Sequence, residues 1–170
     1  MNRRLMEKII TIIYAVFWGC IGAKKGQVKE KMEKKDRLEV LYVRPNEEAK
    51  FIEIDNDIAS MQELVDGFIE EYMPFDDEVA VICNEEGKKK NLDFNRGIYD
   101  KNGKLLDIIC GSFFLCYAPI ESEKFLPLPA NLRTKYEKMF KAPEQFFLSE
   151  NGIVAKKLPC HRTEYDRDVR

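Results

Sequence analysis

Short apolar runs, each ended by turn-forming residues, set the tightest limit on what this chain can fold into. Leu38-Glu39-Val40-Leu41-Tyr42-Val43 is apolar and β-branched, and Arg44-Pro45-Asn46 stops it. Proline has no N–H for a sheet ladder, and asparagine tolerates turn geometry. Lys50-Phe51-Ile52-Glu53-Ile54 alternates as a second strand, so the pair predicts a hairpin. Phe68 to Met73 and Glu78 to Cys83 flank Pro74-Phe75-Asp76-Asp77 and read as a third and fourth strand.

Helical spacing is confined to two segments. Ile58, Met61, Leu64 and Val65 share one face, behind Asp55-Asn56-Asp57, whose short side-chain oxygens suit the unpaired N–H groups of a first turn. Ser60 with Glu63 has capping-box form, and Gly67 suits a left-handed C-terminal position. Leu132, Tyr136, Met139 and Phe140 share a face between Asn131 and Lys141, which ends before Pro143. Asn84 to Gly87 reads as a turn, Leu92 to Tyr99 as irregular chain or one helical turn, and Asp100-Lys101-Asn102-Gly103 as a tight turn. Leu105 to Cys116 reads as one long apolar strand, and Pro119 to Pro129 as a loop. The order predicts an α+β domain over residues 36–148. It has a small, mainly antiparallel sheet, a short helix after the second strand, and a C-terminal helix, with both helices on one sheet face. Residues 149–170 are charged, have little to bury, and read as a mobile tail.

Residues 1–31 are a separate problem. Ile9 to Ala23 is an uncharged, largely apolar run of 15 residues between Arg3, Arg4 and Lys8 on one side and Lys24 and Lys25 on the other. A spanning helix needs about 20 apolar residues and a signal-peptide core about 7–15. Three readings follow: initiation at Met32, a membrane anchor with the domain held in the cytoplasm by the following lysines, or a cleaved signal. Membrane contact is expected only through this run.

A polar signature carries a family resemblance. Val81-Ile82-Cys83-Asn84-Glu85-Glu86-Gly87-Lys88 is followed by Asn91-Leu92-Asp93-Phe94-Asn95-Arg96-Gly97 and Asp107-Ile108-Ile109-Cys110-Gly111-Ser112-Phe113-Phe114. With Glu53 to Asp57 and Met61 to Glu70 upstream, the stretch from Leu38 to Phe147 resembles a domain of unknown function, number 3846, found in bacteria, phages and integrative elements. The resemblance implies a mobile-element context and supplies no chemistry.

Charge narrows the functional classes. The net charge of −2 hides segments of +6 over Met1 to Pro45, −13 over Asn46 to Gly87 and +5 over Lys88 to Arg170. An acidic block repels nucleic acid and attracts basic protein surfaces, so the expected partner is a protein, with Glu63, Glu70 and Asp77 as contact residues. The five cysteines form no CxxC pair and His161 is the single histidine, so no metal set, disulfide framework or nucleophile–base pair is assigned. Reduced thiols imply a cytoplasmic setting. No phosphate loop or dinucleotide fingerprint occurs, and no cofactor is expected.

The principal reading is a non-enzymatic accessory protein of a phage or mobile element, binding a host or element protein through its acidic surface, with counter-defence as one version. The alternative is a small polar-ligand module built on Asn84, Glu85, Asn95 and Arg96, since guanidinium and amide groups supply forked donors and an acceptor. The bland role for those four is turn closure, with Arg96 pairing Glu85 or Asp107. A hydrolytic enzyme stands third, although adjacent strand residues such as Glu70 and Glu71 point to opposite faces.

Overall fold

The computed structural model describes residues 36–150 and 152–159. The N-terminal run, two of the five cysteines (Cys20 and Cys160), His161 and the last ten residues lie outside them. Among the described residues, nine strands and two helices follow one another as β1 (Arg37–Val43), β2 (Lys50–Asp55), α1 (Ile58–Val65), β3 (Ile69–Tyr72), β4 (Val79–Asn84), β5 (Phe94–Tyr99), β6 (Leu105–Cys110), β7 (Phe113–Tyr117), α2 (Ala130–Phe140), β8 (Glu144–Ser149) and β9 (Gly152–Lys157). The expected α+β class holds, with antiparallel pairing, a short helix after β2 and a later helix before Pro143.

The central sheet has the order β2-β1-β7-β4-β3, and β5-β6 and β8-β9 form two further hairpins. Strand alternation sorts the apolar residues into two cores. Leu38 and Val40 of β1, Ala80 and Ile82 of β4, and Phe114 of β7 pack with Met61 and Val65 of α1. Leu41, Val43, Val79, Val81, Phe113 and Leu115 point the other way, to Ile98 of β5, Ile109 of β6, and Tyr136 and Phe140 of α2. The helices therefore lie on opposite faces of the sheet, not on one. Both faces of β4 are covered, which is why its six residues are all buried. Each such Val, Leu or Phe contributes roughly 1.5–3 kcal/mol by leaving water.

Three other expectations change. Leu92 to Tyr99 is no irregular segment: its last six residues are β5, antiparallel to β6, with a register shift between Phe94 and Arg96. That bulge inserts Asn95 as an extra residue, so Asn95 and Arg96 are both buried. Leu105 to Cys116 is two strands. Gly111, at φ +77°, turns the chain from β6 into β7, and a Cβ there would lie 2.7 Å from Leu92 Cδ1. Residues beyond Ser149 pair back as β9, with Leu148 opposite Ile153 and Phe147 opposite Val154, where a mobile tail was expected. Phe146 meets Phe94 edge-on at 5.7 Å, and the buried Glu144 carboxylate accepts from Gly97 N–H (2.8 Å) and Tyr99 Oη–H (3.1 Å), which fixes this hairpin to β5. In α1, Asp57 caps by accepting from Ser60 N–H at 2.8 Å, and Asp66 rather than Gly67 takes the left-handed position.

At the sheet edge, Glu70 and Glu71 do face opposite ways. Glu70 is exposed, whereas Glu71 is 4% exposed and both its carboxylate oxygens lack a hydrogen-bond partner. An inward charge on a short edge strand disfavours pairing with another chain. Glu71→Met is therefore expected to raise stability by about 1–2 kcal/mol, by removing an unsatisfied buried acceptor, and to promote self-association. Urea unfolding together with sedimentation velocity checks both; a destabilised monomer would refute this role.

Candidate functional site

Asn95 and Arg96 sit at the junction of three elements. Arg96 is 0% exposed. Its Nε donates to Phe140 O at 3.2 Å, its Nη2 to Glu47 O at 2.7 Å, and its Nη1 to Asn95 Oδ1 at 2.8 Å and Asn95 O at 3.2 Å. Asn95 Nδ2 donates to Val43 O (3.0 Å) and Gly111 O (2.7 Å). One buried guanidinium and one buried amide thus tie the β5 bulge to the end of α2, the β1–β2 turn and the β6–β7 turn. The expected ion pair of Arg96 with Glu85 or Asp107 is replaced by these carbonyl contacts, since Asp107 meets Lys88 and Glu85 faces solvent.

Asn84 does similar work at the end of β4. Its Nδ2 donates to Val65 O (3.2 Å) and Asp66 O (2.7 Å), and its Oδ1 accepts from Glu86 N–H (2.9 Å). It closes the C-terminus of α1, where the last carbonyls have no helical partner. Asn84 and Glu85 also border a cleft of about 320 Å³, whose lining does not include Asn95 or Arg96. The four residues therefore do not meet in one site.

Folding redistributes the acidic block. Glu53 and Asp55 meet Arg37, Glu47 meets Arg44, Asp76 meets Lys101, and Glu86 meets Lys90. Asp77 pairs with Lys135 and accepts from Tyr136 Oη–H at 2.9 Å, and Glu78 accepts from Tyr117 Oη–H at 3.0 Å and Ile120 N–H at 2.9 Å. Each of these cations comes from outside residues 46–87, so part of the charge asymmetry is met by pairing across segment boundaries, locally for Glu47 and Glu86 and through the fold for the others. Asp77 is a brace between the β3–β4 turn and α2 rather than a free contact residue. The Lys135 hydrogen bond, then the Tyr136 hydroxyl, holds its carboxyl below the ordinary value.

Glu63, Asp66, Glu70 and Glu85 remain exposed, and none forms an ion pair among the described residues. Asp66 and Glu70 lie two residues either side of Phe68, Glu85 joins it through the main chain and Glu63 stands in the last turn of α1; Phe68 is 66% exposed. The contacts that gather them are local: Glu85 N–H donates to Phe68 O at 2.8 Å, Gly67 N–H to Gln62 O at 3.0 Å, and Asp66 N–H to Glu63 O at 3.3 Å. A Cβ on Gly67 would come within 2.4 Å of Asn84 Nδ2, so glycine there lets the α1 terminus close on β4. The sequence reading missed Phe68 because it placed that residue inside a strand; the flanking Asp66-Gly67 was the available signal.

The cleft itself lies between the β3–β4 edge and β6. Glu70, Tyr72, Cys83, Lys88, Asp107 and Ile109 are among its walls. Lys88 Nζ donates to Asp107 Oδ1 at 2.5 Å, which also accepts from Ile108 N–H at 2.7 Å. Burial, and then Glu70, pushes the Cys83 thiol up to about 12. Burial also raises Cys110, so these thiols are held protonated as apolar lining. Among the described residues no group of His, Cys, Asp and Glu is placed to hold a metal ion, and no helix is long and apolar enough to cross a membrane.

A family match accounts for the central domain. The family described as Domain of unknown function (DUF3846) matches residues 37–141, from the first residue of β1 to the residue after α2. The chain belongs to this family. No curated protein and no solved structure matches the chain. The matched family domain contains the Asn84 and Arg96 braces, the Phe68 patch and the cleft, while β8 and β9 lie beyond it.

Proposed function

We propose that this domain is a non-enzymatic binding protein that docks a basic protein surface on the acid-flanked aromatic Phe68. The observation that carries the reading is the exposed Phe68 on a segment next to Glu63, Asp66, Glu70 and Glu85, exposed carboxylates that form no ion pair among the described residues. An exposed aromatic supplies the desolvated anchor typical of interface hot spots, and neighbouring carboxylates steer a cationic partner. In the mobile-element form of the proposal, the partner is a host or element nucleic-acid-binding protein, such as a defence nuclease, whose phosphate-binding surface the carboxylates occupy. The domain then acts by occupancy.

Photo-crosslinking from position 68 of the full chain identifies the partner, and binding to the purified partner tests the surface. Phe68→Ala is expected to weaken binding by about 2 kcal/mol. The charge reversals Glu63→Lys and Asp66→Lys are expected to slow association and flatten its salt dependence, with stability within about 0.5 kcal/mol of wild type. Binding that ignores salt and all three substitutions would sink the proposal.

A further inference from the structure

We propose that the cleft between the β3–β4 edge and β6 binds a small organic cation, an ammonium or guanidinium carried on an apolar stem. Its floor and walls combine buried Ile109 and Cys83 with the ring of Tyr72. A stem of a few methylenes fits a space of about 320 Å³. Charge decides the sign of the head group. Lys88 and Asp107 neutralise each other through their 2.5 Å contact, and of the other charged residues that line the cleft the carboxylates Glu70 and Glu85 outnumber Lys89, none of the three having an ion-pair partner among the described residues. A cation entering beside Glu70 gains that carboxylate and the face of Tyr72, and a partly desolvated cation over an aromatic ring is attracted by the ring quadrupole. Tyr72 Oη has no hydrogen-bond partner among the described residues, which leaves an acceptor for an N–H of the head group. Glu70, Lys88 and Asp107 all act electrostatically on both the Tyr72 phenol and the Cys83 thiol, as expected of groups gathered round one small space.

Glu70 and Glu85 border both the docking surface and the cleft, but the substitutions that test the surface, at Glu63, Asp66 and Phe68, fall outside the cleft lining, so the two proposals fail separately. The cation's source is a free metabolite or a lysine or arginine side chain of another protein, and both present the same chemistry.

The test uses the full chain and four probes of one size: n-butylammonium, n-butylguanidinium, neutral 1-pentanol and butyrate. Thermal shift and calorimetry are expected to give saturable binding of the two cations alone. Glu70→Gln is expected to weaken that binding at least tenfold and Tyr72→Ala severalfold, while Glu123→Gln, an exposed carboxylate away from the cleft, leaves it unchanged. Lysine and arginine tripeptide amides, compared with the free cations, separate the sources: tighter binding of the peptides assigns the cleft to a partner's side chain, and tighter binding of the free cations to a metabolite. No saturable binding of either cation, equal binding of butyrate, or affinity unaltered by Glu70→Gln in a folded variant overturns the proposal.

Discussion

Arg96→Ala is expected to lower the free energy of unfolding by about 3–5 kcal/mol, the range for breaking a buried, hydrogen-bonded charged network by removing one member. The guanidinium donates to Phe140 O, Glu47 O and both oxygens of Asn95, so its deletion leaves buried acceptors facing a cavity. Two terms add, the lost charged hydrogen bonds and the void left by the side chain. Arg96→Met restores much of the volume and none of the donors, so it is expected to recover only part of the loss. Urea unfolding at neutral pH measures both variants. A loss below about 1 kcal/mol for the alanine variant would remove Arg96 from the framework and reopen its role as a ligand contact.

Asn84→Ala is expected to lower stability by about 2–3 kcal/mol, because one amide satisfies the last carbonyls of α1 and the N–H of Glu86. Gly67→Ala approaches the same joint from the other side. Its Cβ would stand 2.4 Å from Asn84 Nδ2, at a φ of +155°, and the added methyl and the Asn84 side chain cannot both keep their positions. The two substitutions disrupt one contact, so the double variant is expected to lose less than the sum of the singles. Full additivity in the double-mutant cycle would show that Gly67 and Asn84 act independently. Hydrogen exchange is expected to rise first in the last turn of α1, where the released carbonyls face solvent.

These two effects explain why the polar signature was legible as important and misleading about its role. Asn84, Asn95 and Arg96 carry groups that suit a ligand, but the same donors suit buried main-chain carbonyls, and residue type alone does not separate the two. Glu85 and Asn84 reached a cleft, whereas the bulge in β5 drove Asn95 and Arg96 into the interior. The acids show the same limit. Glu63 and Glu70 stayed exposed as expected, while Asp77 was claimed by Lys135 and Tyr136, which lie 58 and 59 residues away along the chain.

Local chemistry by itself determined the class of this domain. Runs with period-two alternation had to become strands that bury one or both faces, Asp55-Asn56-Asp57 offered caps to the helix that follows, of which the fold uses Asp57, and Pro143 had to stand beyond the end of α2. What tertiary structure alone decided was which face each element covers and which polar groups remain free. Alternation along β1, β4 and β7 offers apolar side chains to both sides of the sheet, so nothing local states that α1 takes one side and α2 with the β5–β6 hairpin the other. The break at Gly111 and the return of β9 onto β8 depend on partners far along the chain: Asn95 and Leu92 for the first, and β5, through Glu144 and Phe146, for the second. Six of the fourteen carboxylates in the acidic block pair with cations outside it, and for Glu53, Asp55, Asp76 and Asp77 only the folded chain brings the cation within reach. Glu63, Asp66, Glu70 and Glu85, near Phe68, are among those that this pairing leaves without a cation among the described residues.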